Sequence, residues 1–115
     1  MHYNELKQAR EELTGPGGAF EIVEAAVLGN RLRTYKNAPP SVREFWLSTM
    51  QFADRPYLVY GDDRLTYAQT HAQVNAVAAW LAEQRIAAGD RVAIAMRNYP
   101  EWLVAYWACV STGIA

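Results

Sequence analysis

Few residues in this chain could do chemistry, and their spacing argues against most uses. Gly15-Pro16-Gly17-Gly18 invites comparison with a phosphate-binding loop. Such loops work because glycines let backbone amides approach an anion just ahead of a helix N-terminus, whose dipole adds positive potential. Here the glycines follow a helical stretch, precede a strand-like one and lead into no Gly-Lys-Ser or Gly-Lys-Thr, so a linker fits better. His2 and His71 stand at no metal-ligand spacing with each other or with Cys109. Cys109 lies in an apolar run without a base or cationic surround, where a thiol behaves as a small hydrophobe. Ser41, Ser48 and Ser111 occupy no Gly-x-Ser-x-Gly elbow. Asp54, Asp62 and Asp63 could be imagined around a cation, but acids in hairpin loops far more often serve the turn. Tyr99, Trp102, Tyr106 and Trp107 could stack bases only beside a cationic groove, which Arg91 and Arg97 do not make. No catalytic, cofactor-binding or metal-ligating residue is therefore assigned.

The composition bounds the remaining choices. The chain has 115 residues, 51% hydrophobic and 20% charged, which is globular rather than disordered. Formal net charge is −1 with no long run of one sign, so attraction to nucleic acid or an anionic membrane has no source. The longest uncharged apolar run, 102–115, falls short of the ~20 residues a bilayer span needs. One cysteine and no visible signal peptide make a cytoplasmic protein the default.

Periodicity and punctuation predict the elements. Residues 3–13 read as an exposed helix ended by the glycines. "AFEIVEAAVL", Gly29-Asn30 and "RLRTYKN" read as a hairpin reversing at Gly29-Asn30. Ser41 and Glu44 form a capping box, and Val42, Phe45, Trp46, Thr49, Met50 and Ala53 recur at helical spacing behind it. "YLVY", Gly61-Asp62-Asp63 and "RLTY" give a second hairpin with a three-residue loop. Thr66 and Gln69 cap a long helix with an inner stripe of Val74, Val77, Ala78 and Leu81, ending around Arg85. His71, near the start of that helix, is expected to be half exposed. "RVAIAM" is apolar on both sides, which suits a strand in a parallel sheet covered on both faces. Asn98 and Glu101 predict a third capping box with Pro100 in the first turn, followed by a helix apolar nearly all round and closed by Gly113. The C-terminal half is thus the opening strand and crossover of a βαβ unit whose returning strand is missing.

Several of these stretches together resemble one family. Leu65-Thr66-Tyr67-Ala68-Gln69-Thr70 resembles the "LTYxEL" motif of the acyl-adenylating superfamily, with Gln69 and Thr70 in place of Glu and Leu. Gly89-Asp90-Arg91-Val92-Ala93-Ile94 resembles its "GDRVAI" strand, and Asn98-Tyr99-Pro100-Glu101-Trp102 its "NsPEW" helix start. "ACVSTGIA", 108–115, resembles the opening of "LAxLKAGAxxVPLN", with Ser111, Thr112 and Ile114 departing from it.

The resemblance implies an α/β fragment: residues 1–40 as a leader with a short helix and hairpin, and 41–115 as the start of the AMP-binding large domain, truncated before the phosphate loop. Such enzymes activate a carboxylate with ATP and Mg, then pass the acyl group to coenzyme A. Their Ser/Thr/Gly-rich phosphate loop, Tyr/Thr-x-Glu motif, ribose-binding Asp and late Lys are not in this sequence, so the fragment is expected to be inactive alone. Its expected partner is the remainder of the enzyme, or a second copy through the apolar C-terminal helix. The rival expectation is a free-standing interaction module without catalysis.

Overall fold

In the computed structural model, which describes residues 2–115, the chain divides into two units, Met1–Pro39 and Pro40–Ala115. In the first unit, α1 (Tyr3–Thr14) starts where the His2 amide donates to Glu5 Oε2 at 2.9 Å, and none of its residues is buried. Strands β1 (Ile22–Val27) and β2 (Asn30–Tyr35) pair antiparallel, Ile22 opposite Tyr35 and Val27 opposite Asn30. The reversal falls at Leu28-Gly29, one residue earlier than expected. Both have positive φ, +48° and +80°, the geometry that matches strand twist in a two-residue loop. Asn30 consequently belongs to β2.

The second unit opens at Ser41, whose Oγ accepts from the Glu44 amide at 3.1 Å and starts α2 (Val42–Ser48). Among the described residues the Glu44 carboxylate makes no return bond, so the box is half made. A 3-10 turn at Thr49–Phe52 replaces the α-helix expected through Ala53. That change of pitch scatters the predicted stripe: Trp46 is 1% exposed, while Val42 and Phe45 are each 50% exposed. Strands β3 (Pro56–Tyr60) and β4 (Asp63–Thr66) form the second hairpin. Its loop is Gly61-Asp62 rather than three residues, because Asp63 already pairs with Tyr60. A register shift between Pro56 and Leu58 leaves Tyr57 as the extra residue, and such bulges re-aim side chains.

Helix α3 (Tyr67–Glu83) carries the complete box expected of it: Gln69 donates to Thr66 Oγ1 at 3.1 Å, and the Thr66 amide donates to Gln69 Oε1 at 2.9 Å. Val74 and Leu81 are buried, Val77 and Ala78 half-buried. The helix closes with Ile86 donating to the Leu81 carbonyl at 3.0 Å and Arg85 to that of Ala82 at 2.9 Å, an arrangement that puts Arg85 at φ +62°. Helix α4 (Pro100–Val110) begins one residue later than expected. Pro100 is its first residue and Tyr99 its N-cap, so Asn98 lies outside the helix and the third capping box does not form. Gly113, at φ +81°, ends it as expected, with the Ile114 amide reaching back to the Cys109 carbonyl at 3.0 Å. An added Cβ on Gly113 would stand 3.1 Å from the Ala88 Cβ.

Residues 91–97, between α3 and α4, form no strand ladder, so the strand expected of "RVAIAM" is not assigned. They make one beginning of one. The Ala115 amide donates to the Asp90 carbonyl at 2.9 Å, and the Val92 amide donates to the Ala115 carbonyl at 2.8 Å. Bonds to the residues on either side of Arg91, both made by Ala115, are the signature of a parallel bridge. The two hairpins and the helices follow in the expected order, in a mixed α/β fragment whose assigned sheets have two strands each.

Candidate functional site

The second unit is organised around a stack of rings. Trp46 of α2 lies between His71 of α3, 3.9 Å away centroid to centroid and 12° from parallel, and Trp107 of α4, 4.5 Å away and 14° from parallel. The bulged Tyr57 meets the Trp46 ring at 5.8 Å and accepts a hydrogen bond from Trp107 Nε1 at 2.9 Å. A buried indole N–H needs such a partner. Val74, Leu81, Val104, Ala108, Cys109 and Ile114 complete the core around the stack.

His71 is 6% exposed, not half exposed as its place near a helix start suggested. Thr49 Oγ1 donates to the Trp46 carbonyl at 2.6 Å and lies 2.9 Å from His71 Nε2. With the hydroxyl proton directed to the Trp46 carbonyl, an N–H at Nε2 would complete the contact by donating to Thr49. Burial pushes the His71 pKa below its ordinary 6.5, opposed in part by the Trp46 backbone. The imidazole is thus a packed ring with a satisfied nitrogen rather than a free base. Burial likewise pushes the Cys109 thiol up, away from thiolate chemistry.

Of the other residues weighed for chemistry, Trp102, Tyr106 and Trp107 meet ring to ring, Trp102 stacked on Tyr106 and Tyr106 edge-on to Trp107 at 5.4 Å each. Among the described residues no group of three His, Cys, Asp or Glu side chains could hold a metal ion. The glycine loop already has an anion: Glu21 Oε2 accepts from the Gly17 amide at 3.0 Å and from Lys36 Nζ at 3.0 Å. Those two contacts, the amide first, hold the Glu21 carboxyl below its usual range. A contact that sequence reasoning missed is Arg43, whose Nη1 donates to the Ser111 carbonyl at 2.8 Å. It places a cation at the C-terminal end of α4, where the helix dipole is negative. A basic residue two positions after a serine cap gave no signal of a partner 68 residues away.

The aromatic core thus positions α2, α3 and α4 against one another, with Val92 packed against it. Residues 45–115 match the family model described as AMP-binding enzyme, which is well over half of the chain. The chain belongs to the AMP-binding enzyme family. A medium/long-chain-fatty-acid–CoA ligase, FadD6, of Mycobacterium tuberculosis is 40% identical over 63 residues, 55% of this chain and 11% of that protein. A Mycobacterium marinum ligase named for medium/long-chain fatty acids and 3-oxocholest-4-en-26-oate is 37% identical over 60 residues, again 11% of its length. The N-terminal subdomain of Klebsiella oxytoca NpsA superposes with a TM-score of 0.62 at 28% identity, covering 64% of this chain and 20% of that one. The anthranilate CoA ligase AuaEII, at 18% identity and TM-score 0.62 over 68% of this chain and 16% of its own, shares the fold. This member spans about a tenth of the length of the curated ligases it matches. Its likeness is thus to a small part of acyl-CoA ligases and to an N-terminal subdomain. In this family member the Ser41 cap and the Thr66–Gln69 box start helices.

Proposed function

We propose that the chain is the opening scaffold of an enzyme that joins a fatty acid to coenzyme A through an acyl-adenylate. Carboxylate and ATP, with Mg, would give acyl-adenylate and pyrophosphate; the coenzyme A thiol would then displace AMP to form the thioester. The observation that carries this reading is the coincidence of the family match, 45–115, with the unit Pro40–Ala115. In this reading residues 1–40 are a leader and 41–115 begin the large domain. Every group that handles ATP, metal and thiol comes from elsewhere in the enzyme. Its place would be the cytoplasm; no helix among the described residues is long and apolar enough to cross a membrane.

The partner in this reading is the remainder of the enzyme, with self-association when the segment is alone. Among the apolar residues of α4, Trp107 is covered by Trp46, while Trp102, Tyr106 and Val110 stay half-buried. The test pairs pyrophosphate exchange, using fatty and aromatic acids, with calorimetric titration by Mg-ATP. The chain by itself should show neither exchange nor submillimolar binding. A longer polypeptide that carries the segment should exchange with fatty acids. Turnover by the chain alone would overturn the scaffold assignment, and a longer polypeptide that never forms an adenylate would favour the interaction module.

A further inference from the structure

We propose that β1 pairs antiparallel with β1 of a second copy, joining two hairpins into one four-stranded sheet. The contact lies outside the family match at 45–115 and does not depend on the reading above. Hydrogen bonding decides which groups it uses. The Lys36 amide donates to the Glu21 carbonyl at 2.8 Å, and bonded pairs alternate along an antiparallel ladder, so 23–34, 25–32 and 27–30 are bonded pairs. The amides and carbonyls of Ile22, Glu24 and Ala26 therefore face away from β2. Among the described residues, no backbone bond from outside the hairpin reaches them, and such an open edge recruits another strand. Charge decides the edge and the register. The outward residues of β2 are Arg31, Arg33 and Tyr35, and the registers of β2 on β2 with most overlap set an arginine against an arginine. On β1, one well-overlapped register sets Glu24 against the partner's Glu24. The other, centred on Ala25, sets Glu24 against the partner's Ala26 and pairs Val23 with the partner's Val27. It exchanges amide and carbonyl bonds at both Glu24–Ala26 pairs and runs Leu28, 97% exposed at the tip, opposite the partner's Ile22. Val23, Ala25, Val27 and Leu32 share one uncharged face, which the second copy doubles. A lone hairpin is marginal in water; three or more strands with an apolar face are not.

A contact this small belongs with weak associations, so the full chain is followed by sedimentation velocity and NMR from about 10 µM to 1 mM. Mass should rise from monomer to dimer and stop there. Over the same range the amides of Glu24 and Ala26 should slow in hydrogen exchange by roughly tenfold, while those of Arg31 and Arg33 stay fast. In a mixed-isotope sample the Ala25 Hα should meet the Hα of the partner's Ala25, which fixes the register. Two variants separate pairing from folding. Within its own hairpin Ala26 stands opposite Arg31, but in the dimer it stands opposite the partner's Glu24. Ala26→Lys should therefore loosen the hairpin and tighten the dimer, and Ala26→Glu should do the reverse. Their dimerisation constants should differ by roughly tenfold, because two symmetry-related pairs change at once. The Hα contact between Glu24 and Arg33 checks that each variant keeps its hairpin. A monomer at the top of the range, or a dimer in which Ala26→Glu is equal or tighter, would overturn the proposal. So would slowing at Arg31 and Arg33 with mass growing past the dimer, which would mean β1 stacking on β2 without closure. A dimer lacking the Ala25 contact would equally overturn it and hand association to another surface. None of these readouts uses adenylation, so their failure would leave the ligase reading to its own assay.

Discussion

His71 gives the aromatic core a pH dependence whose sign is fixed by its burial. Its pKa in the folded chain lies below 6.5, so between that folded value and 6.5 the unfolded chain binds more protons. Stability is therefore full above about pH 6.5, falls as pH drops through the window, and levels off below the folded value. Urea unfolding followed by tryptophan fluorescence should show this slope, and His71→Phe should flatten it. Glu21 titrates in a separate window: its carboxyl is depressed from 4.5, so what it contributes is present above 4.5 and fades only in stronger acid. The caps divide just as clearly. Ser41→Ala should cost about 1 kcal/mol, because the Glu44 amide loses its acceptor. Asn98→Ala should stay within about 0.5 kcal/mol, because Tyr99 rather than Asn98 borders α4. Denaturation of the two variants side by side checks both; a cost at Asn98 equal to that at Ser41 would mean α4 starts earlier in solution.

Helix ends were the most legible elements and helix faces the least. Thr66 and Gln69 stand three apart ahead of an apolar run, and that local pattern suffices because capping bonds are local. Gly113 was legible for the same reason: only a residue tolerant of positive φ closes the helix there. The start of α4 was misplaced because Pro100 and Asn98 both signal an N-terminus, and the fixed φ of proline at the first helical position decided between them. The burial of His71 was not legible at all, since it depends on Trp46 arriving from another helix 25 positions earlier. For the same reason the residues of α2 looked like a stripe, while the 3-10 turn after Ser48 leaves Trp46 as the anchor of that helix. Arg85 offers a test at this scale. A side chain at φ +62° pays for the left-handed conformation, so Arg85→Gly should stabilise the chain by about 1 kcal/mol. A thermal or urea midpoint that falls instead would show that the arginine stem packs more than its exposed position suggests.

At the scale of the molecule, protection is unevenly distributed. The exposed large apolar residues include Phe20, Leu32 and Tyr35 in the first unit and Trp80 and Met96 in the second. In the first unit α1 buries nothing and the sheet is a lone pair of strands, which is marginal in water. Its amides should exchange orders of magnitude faster than those of α3, whose Thr70 and Val74 are 0% and 1% exposed. Mass-spectrometric exchange resolves this directly; equal protection in β1 and in α3 would contradict it. Conversely, Trp46→Ala should cost about 3–5 kcal/mol, enough to abolish cooperative unfolding of the second unit in a chain with an ordinary margin of stability.

The stacked indoles of Trp46 and Trp107 have a consequence in optics. Two identical chromophores held 4.5 Å apart and 14° from parallel cannot absorb independently; their transitions mix into a coupled pair. The folded chain should therefore carry a paired positive and negative band in its aromatic circular dichroism that neither tryptophan alone could produce. Trp107→Phe should erase the couplet while Trp80→Phe, at an exposed site, leaves it. Because the His71 ring lies on the other face of Trp46, its protonation should also dim the emission of that indole by accepting charge from the excited state. The core thus contains a built-in reporter of its own assembly, readable without any label.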